Sequence, residues 1–220
     1  VMREFEQKFR AHVIELYGLT ETAGAVTCNP MYYPAKPGSV GLPIPPVRVK
    51  LVDAEGRSRE VGVGQIGELC VRGPVVMKEY WKMPKETEET IVDGWLHTGD
   101  LAEMDEEGFI YLKGRKKEMI IVGGHNVYPV EIEDVIYEHP AVSEVAVVGV
   151  PVETMGETPK AFVVLRPGSE ATPEEITAHC DARLAKYKVP RQVEFISEIP
   201  KNPVGKILKR VLREREQTKG

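Results

Sequence analysis

The fold is decided by residues 114–133, which have the sequence GRKKEMIIVGGHNVYPVEIE. Here a charged segment gives way to four apolar residues, 119–122, which predict a strand that ends at Gly123-Gly124. Pro129 then stands at a favourable first helical position, and the apolar face that follows predicts a helix up to His139-Pro140. From this stretch onward, strands and helices alternate along the chain.

The chain downstream of this stretch predicts a compact α+β domain over residues 118–220. Thr172-Pro173-Glu174-Glu175 is a capping box with proline in the first turn, so we expect a helix from there to about Lys186. A last helix is predicted from Gly205 to Arg215. Further β-prone runs occupy residues 142–150, 161–165 and 192–196. The resulting βαββαβα order is typical of an α+β fold.

The chain upstream, residues 1–117, predicts a small antiparallel β unit with polar motifs in its loops. Apolar residues spaced by four predict a helix over residues 2–14. Six prolines in residues 23–46 predict a loop region or linker without regular structure. A short helix is predicted over residues 85–91. The strand signals of this part lie at residues 47–51, 68–72 and 109–112.

Composition and charge exclude several classes of protein. The 220 residues are 42% hydrophobic and 29% charged, as in an ordinary soluble globular protein. The net charge of -5 argues against a nucleic-acid partner. The longest apolar run, residues 145–152, is too short to span a bilayer, so no transmembrane segment is predicted. The chain starts with valine inside a charged stretch, from which we expect it to begin partway through a longer protein.

The cysteines and histidines predict neither a disulfide framework nor a metal site. Cys28, Cys70 and Cys180 are odd in number, widely spaced and without a CxxC pair, which favours free thiols in a reducing compartment. We therefore expect a cytoplasmic protein. The five histidines never fall at metal-ligand spacing, so no structural metal is predicted.

Two glycine-rich segments match nucleotide-binding patterns only formally. Residues 62–67 fit GxGxxG, but a strand follows them where a dinucleotide fingerprint needs a helix, so a glycine-rich hairpin is the better interpretation. Gly205-Lys206 is not a Walker loop, because the glycine required five residues earlier and the hydroxyl residue after the lysine are both missing.

Residues 17–22, Tyr-Gly-Leu-Thr-Glu-Thr, combine the residue types of a phosphate and magnesium site. Gly18 lets the backbone approach a ligand closely. The hydroxyl of Thr20 and the carboxylate of Glu21 can together hold a phosphate oxygen and a magnesium ion. The alternative, equally weighted on this motif alone, is a helix start with Thr20 as the N-cap.

Three further motifs place a charged residue beside a glycine. Asp100 follows what the sequence predicts to be a glycine turn at Gly99, and its carboxylate can accept both hydroxyls of a ribose; the alternative is an Asx turn. Arg115 follows Gly114 and can bind phosphate or ribose, unless it belongs to a solvated charge run. Lys206 extends from a glycine turn ahead of a helix, where a flexible point charge suits a transient oxyanion.

In this order and spacing the motifs resemble the adenylate-forming superfamily of acyl-CoA synthetases, luciferases and peptide-synthetase adenylation domains. The resemblance covers nearly the whole chain, and the run from Trp95 to Ile132 is most similar to fatty-acyl-CoA ligases. The matching blocks are residues 17–21, 67–69, 95–100, 114–115, 123–133 and 205–206. The resemblance implies that residues 1–117 are the end of the large AMP-binding domain and residues 118–220 the small C-terminal lid domain.

The resemblance also implies a role for each matching residue. A carboxylate would attack ATP to give acyl-AMP and pyrophosphate, and CoA would then take the acyl group. Lys206 would reach the carboxylate and α-phosphate oxygens during adenylation, and Lys117 would be the hinge about which the lid rotates. Roles in binding are implied as follows: Thr20 with Gly18 at phosphate, Glu21 at magnesium, Tyr17 against adenine, Asp100 at the ribose hydroxyls, Arg115 on the nucleotide, and Gly123-Gly124 on the CoA side.

The family pattern is followed with few departures. His125 stands where an acidic or aromatic residue is frequent, and Val204 where threonine is frequent. The glycine- and hydroxyl-rich phosphate loop expected upstream of Tyr17 is not in this sequence. The alternatives to a fatty-acid–CoA ligase are another adenylating enzyme, such as an aryl-CoA ligase, a carrier-protein acylating enzyme or a luciferase-like enzyme, and a fragment inactive on its own. The expected partners are fatty acid, ATP and CoA; the oligomeric state stays open, a homodimer included.

Overall fold

The computed structural model describes residues 2–31, 35–54, 59–152 and 156–218. It divides into two compact units, Val1–Lys116 and Lys117–Gly220. The division falls one residue before the boundary proposed from the sequence. Each unit has its own apolar core.

The described part of the first unit is mainly antiparallel sheet. Strands β1, β2 and β3 form one sheet in that order, and β4-β5-β7-β6 form a second, with β8 also paired to β7. Its helices are α1 (Met2–Phe9) and α2 (Pro84–Thr90), and its strands are β1 (Leu16–Leu19), β2 (Gly24–Cys28), β3 (Leu42–Pro43), β4 (Arg48–Val52), β5 (Ile66–Arg72), β6 (Ile91–Val92), β7 (Trp95–Met104) and β8 (Ile110–Arg115). The predicted antiparallel β unit is confirmed.

The core of this unit follows from alternation along its strands. In β5, Leu69 and Val71 are fully buried against Leu96 of β7 and Ile110 of β8. Successive side chains of a strand point to opposite faces, so the alternate apolar positions collect on one side of the sheet. Residues 62–65 form the turn that leads into β5, as the hairpin interpretation of the glycine-rich segment predicted.

Two predictions for the first unit are wrong at the level of secondary structure. Residues 23–46 contain β2 and β3, because β2 pairs with β1 on one side and with β3 on the other, a non-local pairing that proline counting ignores. The predicted helix over residues 2–14 ends at Phe9, since Arg10 adopts a left-handed backbone conformation with φ of 50°.

The second unit is a single sheet covered by helices. The sheet order is β10-β9-β12-β11, and β13 pairs in parallel with β12. Its strands are β9 (Ile120–Val122), β10 (His125–Val127), β11 (Val142–Val152), β12 (Gly156–Leu165) and β13 (Gln192–Phe195), and its helices are α3 (Pro129–Tyr137), α4 (Pro173–Asp181) and α5 (Lys209–Gln217). The α+β class is confirmed, with β10 as one strand more than the predicted order.

Strand β11 is apolar along almost its whole length because both faces of the sheet are covered. Val145 and Val147 belong to the core cluster that includes Ile132 of α3 and Ile176 of α4. The alternate residues of β11 belong to a second cluster with Leu212 of α5. A strand buried on both faces has a continuous hydrophobic run instead of an alternating one.

Two helices of the second unit are shorter than predicted. Helix α4 ends at Asp181, and residues 186–188 form a separate 3-10 turn. Helix α5 begins at Lys209 because Gly205 has a left-handed φ of 84° and the Lys206 carbonyl bonds back to Asn202 instead of forward into a helix. None of the helices in the described ranges is long and apolar enough to cross a membrane.

Candidate functional site

The carboxylate of Asp100 is the centre of a polar group in the first unit. The Tyr17 hydroxyl donates to Asp100 Oδ2 at 2.6 Å, and Arg115 Nε donates to Asp100 Oδ1 at 2.8 Å. Arg115 Nη2 also donates to the Thr98 carbonyl at 3.3 Å. Three residues predicted separately from the sequence are therefore brought together.

Asp100 lies within strand β7, which corrects the expected glycine turn before it and the alternative of an Asx turn. Glu68 of β5 is paired with Leu101, whereas Cys70 is paired with His97, so Thr98, Gly99 and Asp100 lie opposite Leu69 alone. Gly99 has φ of 71°, a conformation that favours glycine and that permits this bulge. Asp100 is the register partner of Arg115 in β8, which explains their ion pair.

The protonation of this group is set by burial. Desolvation raises the pKa of Tyr17 far above its ordinary value, and the hydrogen bond to Asp100 raises it further. Tyr17 is therefore a neutral donor at physiological pH. A carboxylate has about four lone-pair positions, and Tyr17 and Arg115 each occupy one, on different oxygens. Each oxygen of Asp100 can therefore accept a further hydroxyl, as two neighbouring ribose hydroxyls require.

The ring of Tyr17 is packed into the core of the first unit. The residue is 8% exposed, and its neighbours in the cluster include Val26 and Leu51. Only the small exposed part of Tyr17 is available for the adenine contact that the resemblance implies.

Gly18 is required by the packing of the sheet. A Cβ at Gly18 would lie 2.0 Å from the Gly24 carbonyl oxygen of the neighbouring strand. The close approach that this glycine permits is therefore between β1 and β2, whereas the sequence predicted an approach to a ligand.

Thr20 and Glu21 begin a 3-10 turn, Thr20–Thr22, directly after β1. Thr20 is exposed, and Leu19 occupies the N-cap position, so Thr20 is not the cap. The hydroxyl of Thr22 is buried instead and accepts from the Leu19 amide at 3.0 Å. The Thr20 hydroxyl is thus left on the surface of the turn, where a ligand can reach it.

The carboxylate of Glu21 fits the way in which proteins bind magnesium with a phosphate substrate. The Tyr80 hydroxyl donates to Glu21 Oε1 at 2.8 Å. Within the described residues, no group of three or more His, Cys, Asp or Glu side chains could enclose a metal ion. Magnesium commonly uses one or two carboxylates together with substrate phosphates and water, so the second oxygen of Glu21 would suffice as the protein ligand.

Lys206 lies in an exposed loop of the second unit whose backbone is tightly held by Asn202. The Lys206 amide donates to Asn202 Oδ1 at 2.8 Å, and the Asn202 amide donates to the Lys206 carbonyl at 2.9 Å. The Gly205 amide donates to the Asn202 carbonyl at 2.9 Å. The lysine is therefore carried by a defined turn, and its side chain extends from the surface.

The other predicted residues of the second unit are Lys117 and the glycine pair. Lys117 is the first residue of the unit, and its carbonyl accepts from Arg213 Nη1 at 3.2 Å. Gly123 and Gly124 form the two-residue turn between β9 and β10, both with positive φ, of 55° and 83°. A two-residue hairpin turn of this kind needs two left-handed residues, which explains the glycine pair.

Comparison with known proteins relates both units to one family. Residues 1–81 match the family described as AMP-binding enzyme, and residues 131–206 match the AMP-binding enzyme C-terminal domain. The chain belongs to the AMP-binding enzymes. The resemblance identified from the motifs is thereby confirmed.

Individual AMP-binding enzymes are similar over nearly the whole chain. It is 53% identical to the long-chain-fatty-acid–CoA ligase of Escherichia coli O157:H7 over 208 residues, which are 94% of this chain and 36% of that protein. It is 46% identical to a fatty acid–[acyl-carrier-protein] ligase of Streptomyces coeruleorubidus, over 91% of this chain and 39% of that protein. The crystal structure of ATP-bound MatB from Rhodopseudomonas palustris superposes with a TM-score of 0.94 at 40% identity, covering 100% of this chain and 44% of MatB. The chain thus spans well under half the length of these relatives.

Sequence reasoning gave no role to several polar residues of this AMP-binding enzyme that lie beside the predicted site. Tyr80 contacts Glu21, and Glu68, His97 and Lys116 form an ion-paired group behind the Asp100 bulge. Burial tends to raise the pKa of Glu68, but the ion pairs with Lys116 and His97 outweigh it and lower the pKa. The sequence signals for this group are two blocks that match the family, residues 67–69 with Glu68 and residues 95–100 with His97.

Proposed function

We propose that this chain is part of an ATP-dependent acyl-CoA ligase that activates a fatty acid as acyl-AMP and passes the acyl group to CoA. The observation that carries the proposal is the Asp100 carboxylate, held by Tyr17 and Arg115 with one acceptor position free on each oxygen. That arrangement suits the vicinal hydroxyls of a ribose, and it occurs in a chain that belongs to the AMP-binding enzymes.

In the first half-reaction, a carboxylate oxygen of the acid forms a bond to the α-phosphorus of ATP. The bond from that phosphorus to the oxygen bridging to the β-phosphate breaks, and pyrophosphate leaves. Negative charge grows on the α-phosphate oxygens, where the ammonium group of Lys206 would act. A positioned donor at such an oxyanion lowers the barrier by about 3–4 kcal/mol. A magnesium ion bound at Glu21 would supply further charge neutralisation on the phosphates.

In the second half-reaction, the sulfur of CoA bonds to the acyl carbon, AMP leaves, and the thiol proton passes to solvent. The Gly123-Gly124 turn would lie on the CoA side, because a turn without side chains lets an extended pantetheine chain pass closely. Lys117 would be the hinge between the two half-reactions, since it is the first residue of the second unit. The role of His125, which departs from the family pattern, is left to mutation.

A long-chain fatty acid is the substrate that the sequence comparisons favour. The chain is 53% identical to a long-chain-fatty-acid–CoA ligase and 46% identical to a fatty acid–carrier-protein ligase. Both proteins are named for a fatty acid, and they differ in the acceptor of the acyl group. CoA is proposed as the acceptor on the higher identity; transfer to a carrier protein is the second candidate, and an aryl acid in place of the fatty acid is the third.

The proposal is tested by acid-dependent pyrophosphate exchange on the full-length protein that carries this sequence. A panel of fatty and aryl acids identifies the substrate, and CoA is then compared with a phosphopantetheinyl carrier protein as acceptor. If none of the acids in the panel supports pyrophosphate exchange, the proposed function is contradicted. Faster acyl transfer to the carrier protein than to CoA would select the second candidate. We expect no exchange from residues 1–220 alone.

The role of Lys206 is tested with a matched lysine from the same loop. Lys206→Ala is expected to abolish acyl-AMP formation and to preserve transfer from supplied acyl-AMP to CoA. Lys201→Ala is the control, because Lys201 is also exposed and forms a surface ion pair with Glu144 at 2.7 Å. Normal adenylation by Lys206→Ala would refute the assignment.

A further inference from the structure

Glu68 forms an ion-paired group inside the first unit that the proposed chemistry does not use. Its side chain is 5% exposed, as is that of His97. Lys116 Nζ lies 3.0 Å from Glu68 Oε2, and His97 Nδ1 lies 3.4 Å from the same oxygen. The Cys70 sulfur lies 3.4 Å from the same His97 nitrogen. A buried carboxylate is costly unless it is paired, and both oxygens of Glu68 have partners.

One oxygen of Glu68 holds the bulge that carries Asp100. The Gly99 amide donates to Glu68 Oε1 at 3.2 Å. The neighbouring Thr98 hydroxyl donates to the Leu69 carbonyl at 2.8 Å and accepts from the Asp100 amide at 3.1 Å. The bulge interrupts the sheet ladder, and these side-chain bonds replace the lost backbone pairing. The position of the Asp100 carboxylate is thus fixed from behind by Glu68 and Thr98.

The other oxygen of Glu68 holds the last residue of the first unit. Lys116 ends that unit, and Lys117 begins the second. The Lys116 side chain is 30% exposed and reaches inward from the chain to a carboxylate that is almost fully buried in β5. An ion pair with a buried partner is screened less by salt than a pair on the surface. When the backbone torsions at Lys117 change, the preceding residue, Lys116, would therefore stay fixed by its ion pair with Glu68.

We propose that Glu68 is a positioning residue that fixes the nucleotide-binding bulge with one oxygen and the stationary side of the hinge with the other. The inference rests on the proposed function, because it assigns a purpose to the ribose contact and to the rotation about Lys117. Loss of the Lys116 contact would let the torsion change spread over two residues, so that the arrangement for thioester formation is less well defined. Loss of the Gly99 contact would instead weaken the binding of ATP.

Three substitutions separate these two effects in the full-length enzyme. Glu68→Gln can still accept from the Gly99 amide, but it loses the charge that holds Lys116. Lys116→Met removes the same ion pair from the other side and keeps a side chain of similar length. Glu68→Ala removes both contacts. The matched control is Lys113→Met, because Lys113 forms an ion pair with Glu103 of β7 at 3.0 Å with no buried partner.

We expect Glu68→Gln and Lys116→Met to leave the KM for ATP in pyrophosphate exchange within about twofold of the wild type. Both should slow thioester formation from supplied acyl-AMP by about fivefold, the upper end of the effect of losing an ion pair whose lysine is partly exposed. Glu68→Ala should in addition raise the KM for ATP by about tenfold. Amide hydrogen exchange in a peptide spanning residues 114–118 should be faster in all three variants than in Lys113→Met.

The inference is overturned if Lys116→Met behaves like Lys113→Met in both half-reactions and in amide exchange. It is also overturned if the three variants lose both half-reactions equally. A general loss of folding would cause the same result, and thermal unfolding identifies that case. Lys116→Met, at a partly exposed site, then decides the test. A wild-type enzyme without pyrophosphate exchange would refute the proposed function alone. Amide exchange and calorimetric ATP binding would still decide whether Glu68 positions the two segments.

Discussion

Removing the hydroxyl of Tyr17 deletes a single oxygen atom and tests the hydrogen bond to Asp100, the central contact of the candidate site. In Tyr17→Phe the ring still fills its place in the core, so no cavity is created. The bond that is lost is 2.6 Å long and ends on an ionised carboxylate, and such bonds contribute about 1.5–3 kcal/mol. The Asp100 side chain is 14% exposed, so water can replace part of the contact, and we expect the lower figure, about 1.5 kcal/mol.

The same free energy should appear in two measurements on the full-length enzyme. The first unit should lose about 1.5 kcal/mol of unfolding free energy in chemical denaturation. Because the Asp100 carboxylate would then lose its hydrogen bond from Tyr17 and keep the one from Arg115, the KM for ATP in pyrophosphate exchange should rise by about tenfold. The maximal rate of exchange should change less, since the proposed role of Tyr17 is in binding the nucleotide.

Tyr111→Phe is the matched control for this substitution. It removes the same hydroxyl from a strand of the same unit, where the oxygen is 3.3 Å from Asp105 Oδ2. This bond is longer and its two residues are only partly buried, so we expect it to contribute less than the Tyr17–Asp100 bond. If Tyr17→Phe matches Tyr111→Phe in both stability and KM for ATP, the Tyr17–Asp100 bond has no part in holding the carboxylate, and the reasoning is refuted.

Three further predictions test the second unit, the junction and the tyrosines. Lys117→Pro fixes φ near −65° and should preserve adenylation while blocking transfer to CoA, measured as the two half-reactions; equal loss of both would argue against a hinge. Thr172→Ala removes the cap of α4 and should cost about 1 kcal/mol of unfolding free energy in denaturant, whereas Thr172→Ser should retain most of it; equal stability of the two would contradict the capping role. Burial raises the folded-state pKa of Tyr17 and Tyr128 above the unfolded value of about 10, so the stability due to their neutral forms is complete below that pH and is lost as the pH rises above it. Between pH 8 and pH 11, the free energy of unfolding should fall less for Tyr17→Phe than for the wild type.

The parts of the fold that depend on neighbouring residues were predictable from the sequence. The capping box at the start of α4 has both of its predicted bonds, from the Glu175 amide to the Thr172 hydroxyl and from the Thr172 amide to the Glu175 carboxylate. The Gly123-Gly124 turn was predicted for a similar reason, because its left-handed backbone is a local requirement. Both signals lie within four residues of the structure that they determine.

The parts that depend on pairing between distant strands were not predictable. The sequence predicts a turn at Gly99, but β5 supplies a partner strand and a carboxylate that place this glycine in a bulge within β7. The contacts of Glu68 with His97 and Lys116 depend on the register of β5 and β7 and on the position of Lys116 directly after β8, and no spacing in the sequence predicts them. The roles of Asp100, Arg115 and Lys206 came from motif resemblance, and only the meeting of the first two is a finding of the structure.

The two separate cores have a consequence for how this chain responds to heat and denaturant. One apolar cluster is built within residues 1–116, and two others lie within residues 117–220 on opposite faces of a different sheet. Cooperativity in unfolding comes from shared packing, so a single melting temperature is a poor description of a protein with independent cores. Calorimetry should resolve two transitions, of which Tyr17→Phe lowers one and Thr172→Ala the other. Damage to one unit would then leave the other folded, and in a cell such half-folded molecules would be substrates for proteases.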